Sequence, residues 1–326
     1  MGERATVASV TVEADDLRRM QSLAQTVYAL RPEFLNNDAT YGELAWIWGM
    51  DRTAAAAASS WRHRLWFDGP DVVGWAWAHL PRPVPLSDGS VRESTRAYLA
   101  WQVHPERLDL FSPILDWYDE QAHGLMRTVG ARAANTDALA RLSAHGFAVD
   151  ERANGDEGCW LQFNARGLHG AYEPDLPRGY RFRTAEDVDA EGAWRAHVAA
   201  WNPSTLTLQG MRDVRASASY RPDLHFLVEA ADGTLASFAT VWLDEVTGAA
   251  EFEPVGTHPE HRRKGLGRAV LLHGMCAAQA AGARCMLVAC LGAPAHPAAR
   301  GLYYDVGFQP FTRDVPHVKQ AEAIEP

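Results

Sequence analysis

The chain has 326 residues, long for one ordinary domain and comfortable for two of about 150. With 47% hydrophobic and 22% charged residues it reads as globular, and a formal net charge of −10 argues against a nucleic-acid partner while weakly suiting a cationic substrate. No run of about 18 uncharged apolar residues occurs and MGERATVASV has no apolar signal core, so no membrane partner and a cytoplasmic location are expected.

In chain order, HRLWFDGPDVVGWAWAHL (63–80) predicts a hairpin: a strand, an Asp-Gly-type turn and an alternating strand. AYLAWQVHPE (97–106) is an extended run stopped by His-Pro-Glu, and a helical run follows it. LARLSAHGF (139–147) predicts a short helix ended by glycine, then a Phe-led strand. Residues 165–180, ARGLHGAYEPDLPRGY, are rich in Gly and Pro, lack periodicity and mark a linker. Beyond it come the strand YRFRTA, helices from about 186 to 218, a hairpin over 225–243 and a strand over 249–257. A helix over 266–281, the strand CMLVACL, a helix near 297–306 and a last strand from Phe308 complete the chain.

The second series repeats the first. HFLVEAADGTLASFATVWL (225–243) matches the first hairpin, EFEPVGTHPE (251–260) matches 97–106, and ARGLYYDVGF (299–308) matches 139–147. The halves therefore share an α+β plan, a mixed sheet with helices, at a separation of about 160 residues, and a repeat of that size decides the domain organisation. Four cysteines, Cys159, Cys276, Cys285 and Cys290, form no C-x-x-C pair and stand at no metal-ligand spacing to histidine, so buried reduced thiols and no metal are expected.

One turn is out of keeping with the acidic chain. After the strand ending at Thr257, residues 262–268 read Arg-Arg-Lys-Gly-Leu-Gly-Arg. A strand that enters a glycine-rich turn and then a helix presents free N–H groups at the positive end of the helix dipole, a fit for phosphate. Gly265 and Gly267 would let a ligand approach, and Arg262, Arg263, Lys264 and Arg268 add charge. Neither a Walker loop nor the dinucleotide Gly-x-Gly-x-x-Gly is present, and by spacing alone a basic surface turn with capping glycines is an equal reading.

In this setting Arg262, Arg263, Lys264, Gly265, Leu266 and Gly267 resemble the Arg/Gln-x-x-Gly-x-Gly/Ala signature of the GCN5-related N-acetyltransferase (GNAT) superfamily. Leu302, Tyr303, Gly307 and Phe308 resemble its Leu-Tyr-x-x-x-Gly-Phe signature. The resemblance implies two tandem GNAT-like domains, each a mixed, mostly antiparallel sheet flanked by helices, over residues 1–165 and 176–326. It implies that the turn binds the pyrophosphate of acetyl-CoA, the co-substrate, and that Val255 and Thr257 line a V-shaped gap for pantetheine. After His104-Pro105-Glu106 the first half has no glycine and adds Asp109, and Leu142 holds the tyrosine position, so that half is expected to be a degenerate copy. The arrangement is similar to tandem acetyltransferases of the mycothiol-synthase type.

Acetyl transfer to an amine needs a base, an oxyanion donor and an acid for the thiolate. Period two puts Glu251, Glu253, Val255 and Thr257 on one strand face, two carboxylates together toward the cleft. Family bases sit at the positions of Glu253 and Glu251; Glu253 is preferred, with a salt-bridged or solvent-facing carboxylate as the other reading. The resemblance makes the Thr257 N–H, freed by a β-bulge, the oxyanion donor, and Tyr303 the acid, against a core aromatic; Tyr304 is the more structural of the two. His296 stands at an Asn position that contacts pantetheine, or is a surface histidine. Trp201, Asn202 and Ser204 are the acceptor-pocket candidates. Nine of the twelve tryptophans lie between Trp46 and Trp160, suiting an interdomain pocket or plain core.

The function expected is acetyl-CoA-dependent acetylation of a small-molecule primary amine. The alternatives are a mycothiol-synthase-type activity, acetylation of a protein lysine or N-terminus, a non-enzymatic acyl-CoA sensor, and nucleic-acid binding by the basic turn. Retention of Glu253 and Tyr303 favours catalysis over sensing, and the sequence leaves monomer and homodimer both open.

Overall fold

The alternating run before His104 folds because each strand face has a partner. The computed structural model describes residues 7–9, 14–51, 60–170 and 174–321. In the first half, β1 (Val7–Ser9), α1 (Ala14–Leu30) and α2 (Tyr41–Asp51) precede the hairpin of β2 (Trp61–Asp68) and β3 (Asp71–His79). A small ribbon of β4 (Pro83–Pro85) and β5 (Val91–Glu93), not anticipated from sequence, leads into β6 (Arg96–Val103). Then come α3 (Phe111–Gln121), β7 (Met126–Arg132), α4 (Thr136–Ala144), β8 (Ala148–Val149), α5 (Glu151–Asn154) and β9 (Leu161–Gly167).

The second half repeats the plan with β10 (Tyr180–Thr184), α6 (Ala190–Ala200), α7 (Leu208–Arg215), β11 (His225–Ala230), β12 (Leu235–Asp244) and β13 (Ala249–Thr257). It closes with α8 (Leu266–Ala280), β14 (Cys285–Leu291), α9 (Pro297–Asp305) and β15 (Gln309–Lys319). Side-chain caps fix several helix starts: Asp189 accepts from the Gly192 N–H at 2.7 Å, and Thr207 from the Gly210 N–H at 2.9 Å.

One large mixed sheet runs β1-β2-β3-β6-β7-β15-β9-β14-β13-β12-β11-β10. Among the described pairings only β6–β7 and β13–β14 are parallel. The halves exchange their last strands. β9, which ends the first half in sequence, pairs along its whole length with β14 of the second. β15 pairs with β9 through residues 309–313 and then with β7 through residues 314–319. The sheet is therefore continuous across the Gly/Pro-rich stretch, of which residues 171–173 lie outside the described residues.

A second junction is made by α2, which packs against α7, β12 and β13 of the other half. Trp46 shares a buried cluster with Ala196, Leu206, Met211, Val214 and Trp242. At about 25 cal/mol per Å², a tryptophan that buries about 200 Å² contributes about 5 kcal/mol before entropy is counted. The helices approach closely because glycine stands at the contacts: a Cβ on Gly49 would lie 2.6 Å from the Val214 backbone, and one on Gly42 2.5 Å from the Trp242 ring. Trp75, Trp77 and Trp101 fill the first half's own core. The cysteines are free, but only Cys290 is buried; Cys159 is exposed and Cys276 and Cys285 are half-buried, a correction to the expectation of four buried thiols. Among the described residues no helix is long and apolar enough to cross a membrane.

Candidate active site

β13 pairs with β14 over three residues only, from Ala249↔Cys285 to Glu251↔Leu287. Beyond them β13 continues to Thr257 and β14 to Leu291, so the parallel strands part and leave a V-shaped gap. On its other edge β13 stays on β12, where the His258 N–H donates to the Ala236 carbonyl at 2.9 Å. Antiparallel pairs alternate, so Val255 and Thr257, paired with Ala239 and Ser237, turn their N–H and C=O groups away from β12 and into the gap. The Thr257 carbonyl receives the Arg262 Nε–H at 3.2 Å, and the Val255 carbonyl receives the Trp201 indole N–H at 3.2 Å.

The basic turn joins this strand to α8. Arg263 (φ 63°) and Gly265 (φ 80°) are both left-handed, which costs a side chain about 1–2 kcal/mol and glycine nothing. The first intrahelical bond runs from Ala269 N–H to Gly265 O at 3.0 Å, leaving the N–H groups of Leu266, Gly267 and Arg268 outside the helical ladder. A Cβ on Gly267 would stand 3.1 Å from Leu302. The four cations divide into two pairs. Arg262 also donates to the Ala200 carbonyl at 3.1 Å and so ties the strand end to α6, while exposed Arg268 pairs with Asp305 at 3.1 Å. Arg263 and Lys264 are exposed and make no ion pair among the described residues, so they are the charges free to meet an anion.

A bulge breaks the strand where Pro254, with no N–H, cannot serve the ladder. Val241 pairs with Phe252 and Ala239 with Val255, so Glu253 and Pro254 share the width of one residue, Thr240. The bulge therefore lies at Glu253 and Pro254 and not at Thr257, where it was expected; the Thr257 N–H is turned into the gap by strand alternation instead. The bulge also corrects the period-two expectation. Phe252 and Val255 both face the core beneath α8, and Thr257 bonds Ser237 beside Gly267, whereas Glu251 lies beside Trp242 on the face toward α2. Glu251 and Glu253, on either side of Phe252, stay together.

Their environments differ. Glu251 accepts from the Thr40 hydroxyl at 2.9 Å and the Gly42 N–H at 3.3 Å, which places its carboxylate at the N-terminus of α2 from the other half. Burial raises it to about 7 in spite of those donors. Glu253 is pushed up to about 8, by burial first and the Glu251 charge second, and its carboxylate has no recorded donor among the described residues. Glu43 of α2 belongs to the same group: burial, then Glu253, Asp38 and Glu251, hold it well above the carboxylate range. Tyr303 is 7% exposed, edge-on to Phe308, and held protonated by burial and by the Glu253 charge.

The remaining sequence candidates fall elsewhere. His296 is exposed at the start of α9, its side chain making no cap bond. Trp201 is 53% exposed at the gap's edge. Asn202 receives a hydrogen bond from Ser87 at 3.3 Å, and Ser204 exchanges backbone and hydroxyl bonds with Ser87 at 2.8–2.9 Å. Both fasten the loop between β4 and β5. Two adjoining cavities between the halves, with about 310 and 320 Å³ of empty space counting their mouths, share Tyr28, Leu35, Thr40, Glu251 and Leu287. Tyr28, Thr40, Glu43 and Arg132 could not be found in sequence. They lie in the other half, more than 100 residues from β13; the docking of α2 brings Thr40 and Glu43 to it, while Arg132 arrives on β7 through the continuous sheet.

Residues 190–308 match the Acetyltransferase (GNAT) family. Over 152 residues the chain is 34% identical to the mycothiol acetyltransferase of Thermobispora bispora; the match covers 44% of this chain and 50% of that protein, so the chain spans about half the length of the curated relative it matches. A solved tandem GNAT protein from the clavulanic acid biosynthesis pathway has a TM-score of 0.66 over 98% of this chain and 99% of its own, at 17% identity. The GCN5-related N-acetyltransferase from Sphaerobacter thermophilus has a TM-score of 0.57 over 97% and 96%, at 18% identity. The two structures speak to the fold alone: this is a tandem GNAT fold, and the match to the Acetyltransferase (GNAT) family falls within its second half.

Proposed function

We propose that the second half catalyses transfer of an acetyl group from acetyl-CoA to the primary amine of a small molecule, with Glu253 as base and Tyr303 as acid, and that the first half is a scaffold that completes the acceptor side. The observation that carries the reading is the parting of β13 and β14 directly before a left-handed, cationic turn and a helix N-terminus. The residues fit coenzyme A. The N–H groups that open α8, with Arg263 and Lys264, would hold the pyrophosphate, and the Val255 and Thr257 edges would hold the pantetheine arm and the acetyl oxygen. When bound, acetyl-CoA supplies an activated thioester.

Each side chain then has one task. Glu253, raised to about 8, is matched to taking a proton from an ammonium near neutral pH, and its missing donor leaves it free to do so. The amine nitrogen bonds to the acetyl carbon, the C–S bond breaks, Tyr303 gives its proton to the sulfur, and the second proton on the nitrogen leaves to solvent as the amide forms. The amine proton held on Glu253 returns to Tyr303 through solvent. Glu251, engaged at α2, positions rather than reacts. A mycothiol-type acceptor is the second reading, favoured by the 34% identity to the Thermobispora bispora protein. The test is thiol release from acetyl-CoA against amines, amino acids, aminoglycosides, peptides and a mycothiol precursor. Release with none of them, alongside tight acetyl-CoA binding, would favour a sensor.

A further inference from the structure

Arg132, at the end of β7, is 2% exposed and lines one of the two cavities between the halves. Its Nε–H donates to the Leu35 carbonyl at 2.5 Å and its guanidinium lies over the Phe163 ring, but Nη1 has no hydrogen-bond partner. Among the described residues no carboxylate pairs with it. The three nearest in charge are engaged elsewhere: Asp314 with the Leu161 N–H at 2.5 Å, Asp38 with the Tyr98 hydroxyl, and Glu251 with Thr40 and Gly42. Burial pulls Arg132 down to about 9, which still leaves it cationic at neutral pH. A buried guanidinium with an unmet donor is destabilising, and such a group persists where a ligand supplies the missing acceptor. The planar fork of arginine matches a carboxylate.

We propose that the cavity between the halves seats a carboxylate of the acceptor on Arg132, so that the preferred substrates are amino acids, not simple amines. The inference rests on the acetyl-transfer reading above and narrows its substrate class. The cavity wall adds a second preference. Tyr28, Leu35, Phe163, Leu287 and Phe311 surround the arginine with apolar surface, which suits an apolar side chain. Glu251 lines the same cavity, so the carboxylate end and the amine end of one small molecule would meet opposite charges contributed by different halves.

The test compares matched molecules on the full chain. Leucine, leucinamide and 3-methylbutylamine are offered as acceptors with acetyl-CoA, and calorimetry measures binding of N-acetylleucine against N-acetylleucinamide, which need no turnover. Leucine is expected to exceed both others in kcat/KM, although the amide has more neutral amine at pH 7. N-acetylleucine is expected to bind about 10- to 100-fold tighter than its amide. Arg132→Gln should abolish that preference, and Arg132→Lys should keep part of it. Equal binding of the pair, absence of N-acetylleucine binding, or an undiminished preference in Arg132→Gln would overturn the inference. Since the wild-type pair decides by itself, a variant that fails to fold does not shelter the idea. Acetylation of amines with no carboxylate preference sinks this inference alone. A calorimetric preference without any acetylation sinks the transfer reading and leaves the carboxylate seat standing.

Discussion

Set on its repeat, the first half shows how the sheet can be kept while the means of binding are lost. Both halves part their central parallel strands: β6 and β7 pair only from Arg96↔Met126 to Leu99↔Val129, as β13 and β14 do over three residues. The first gap is filled by its own chain. Trp101 stacks on Phe111 at 3.7 Å and gives its indole N–H to Gly130 O, and Asn36 gives its amide to Trp101 O, each at 2.9 Å. Aligned on His-Pro-Glu, Trp101 occupies the place of Val255, while Ala97 and Leu99 occupy those of Glu251 and Glu253. The following turn has no left-handed residue, and Arg107 is paired with Asp109 at 3.1 Å. A splayed sheet therefore belongs to the fold, whereas an open gap, a left-handed turn and a buried carboxylate are separate additions.

The largest expected effect removes the carboxylate that the first half lacks. Glu253→Gln should lower turnover about 10²- to 10⁴-fold with acetyl-CoA affinity retained, measured by thiol release and calorimetry. Wild-type rate should climb with pH toward about 8 as Glu253 loses its proton, and the variant should lack that limb. Stability supplies an independent check. A carboxyl raised in the folded state favours folding at low pH, and that contribution is lost as pH rises from about 4.5 through about 8. Melting temperatures of Glu253→Gln should therefore gain on wild type across that window. A pH-independent gap would return Glu253 to a surface role.

Next in size is the turn. Gly265→Asp puts a side chain at φ 80° and an anion beside the helix N-terminus, so acetyl-CoA affinity should fall about 10- to 100-fold. Wild type should titrate with one acetyl-CoA per chain; two equivalent sites would erase the distinction between the halves. Tyr303→Phe, which makes its position more like Leu142, should reduce turnover about tenfold or more while leaving affinity nearly intact, since the thiolate to be protonated exists only as the bond breaks. Unchanged turnover would make Tyr303 a core residue alone. The smallest effect is Glu251→Ala, which strips the acceptor from the start of α2 and should cost about 1 kcal/mol by denaturant titration, with less loss of rate than Glu253→Gln. A larger rate loss would exchange the two roles.

The turn at residues 262–267, the strand before it and the helix after it were legible in sequence because each depends on neighbours in the chain: glycines for left-handed backbone, alternation for the strand, a glycine-started apolar run for the helix. The repeat was legible for the same reason, since each half carries its own turn and cap chemistry. A bulge was expected at Thr257, but its place at Glu253 and Pro254, and so which residues it turned over, depended on Thr240 opposite, a partner that sequence does not point to. The exchange of β9 and β15 was invisible, because strand pairing is a competition among edges decided by the whole sheet. The acceptor side was invisible too. Thr40 and Glu43 reach Glu251 and Glu253 only after α2 has docked, and it docks because Gly42 and Gly49 admit Trp242 and Val214 at distances that any side chain would forbid; Arg132 arrives only through the exchanged strands of the sheet.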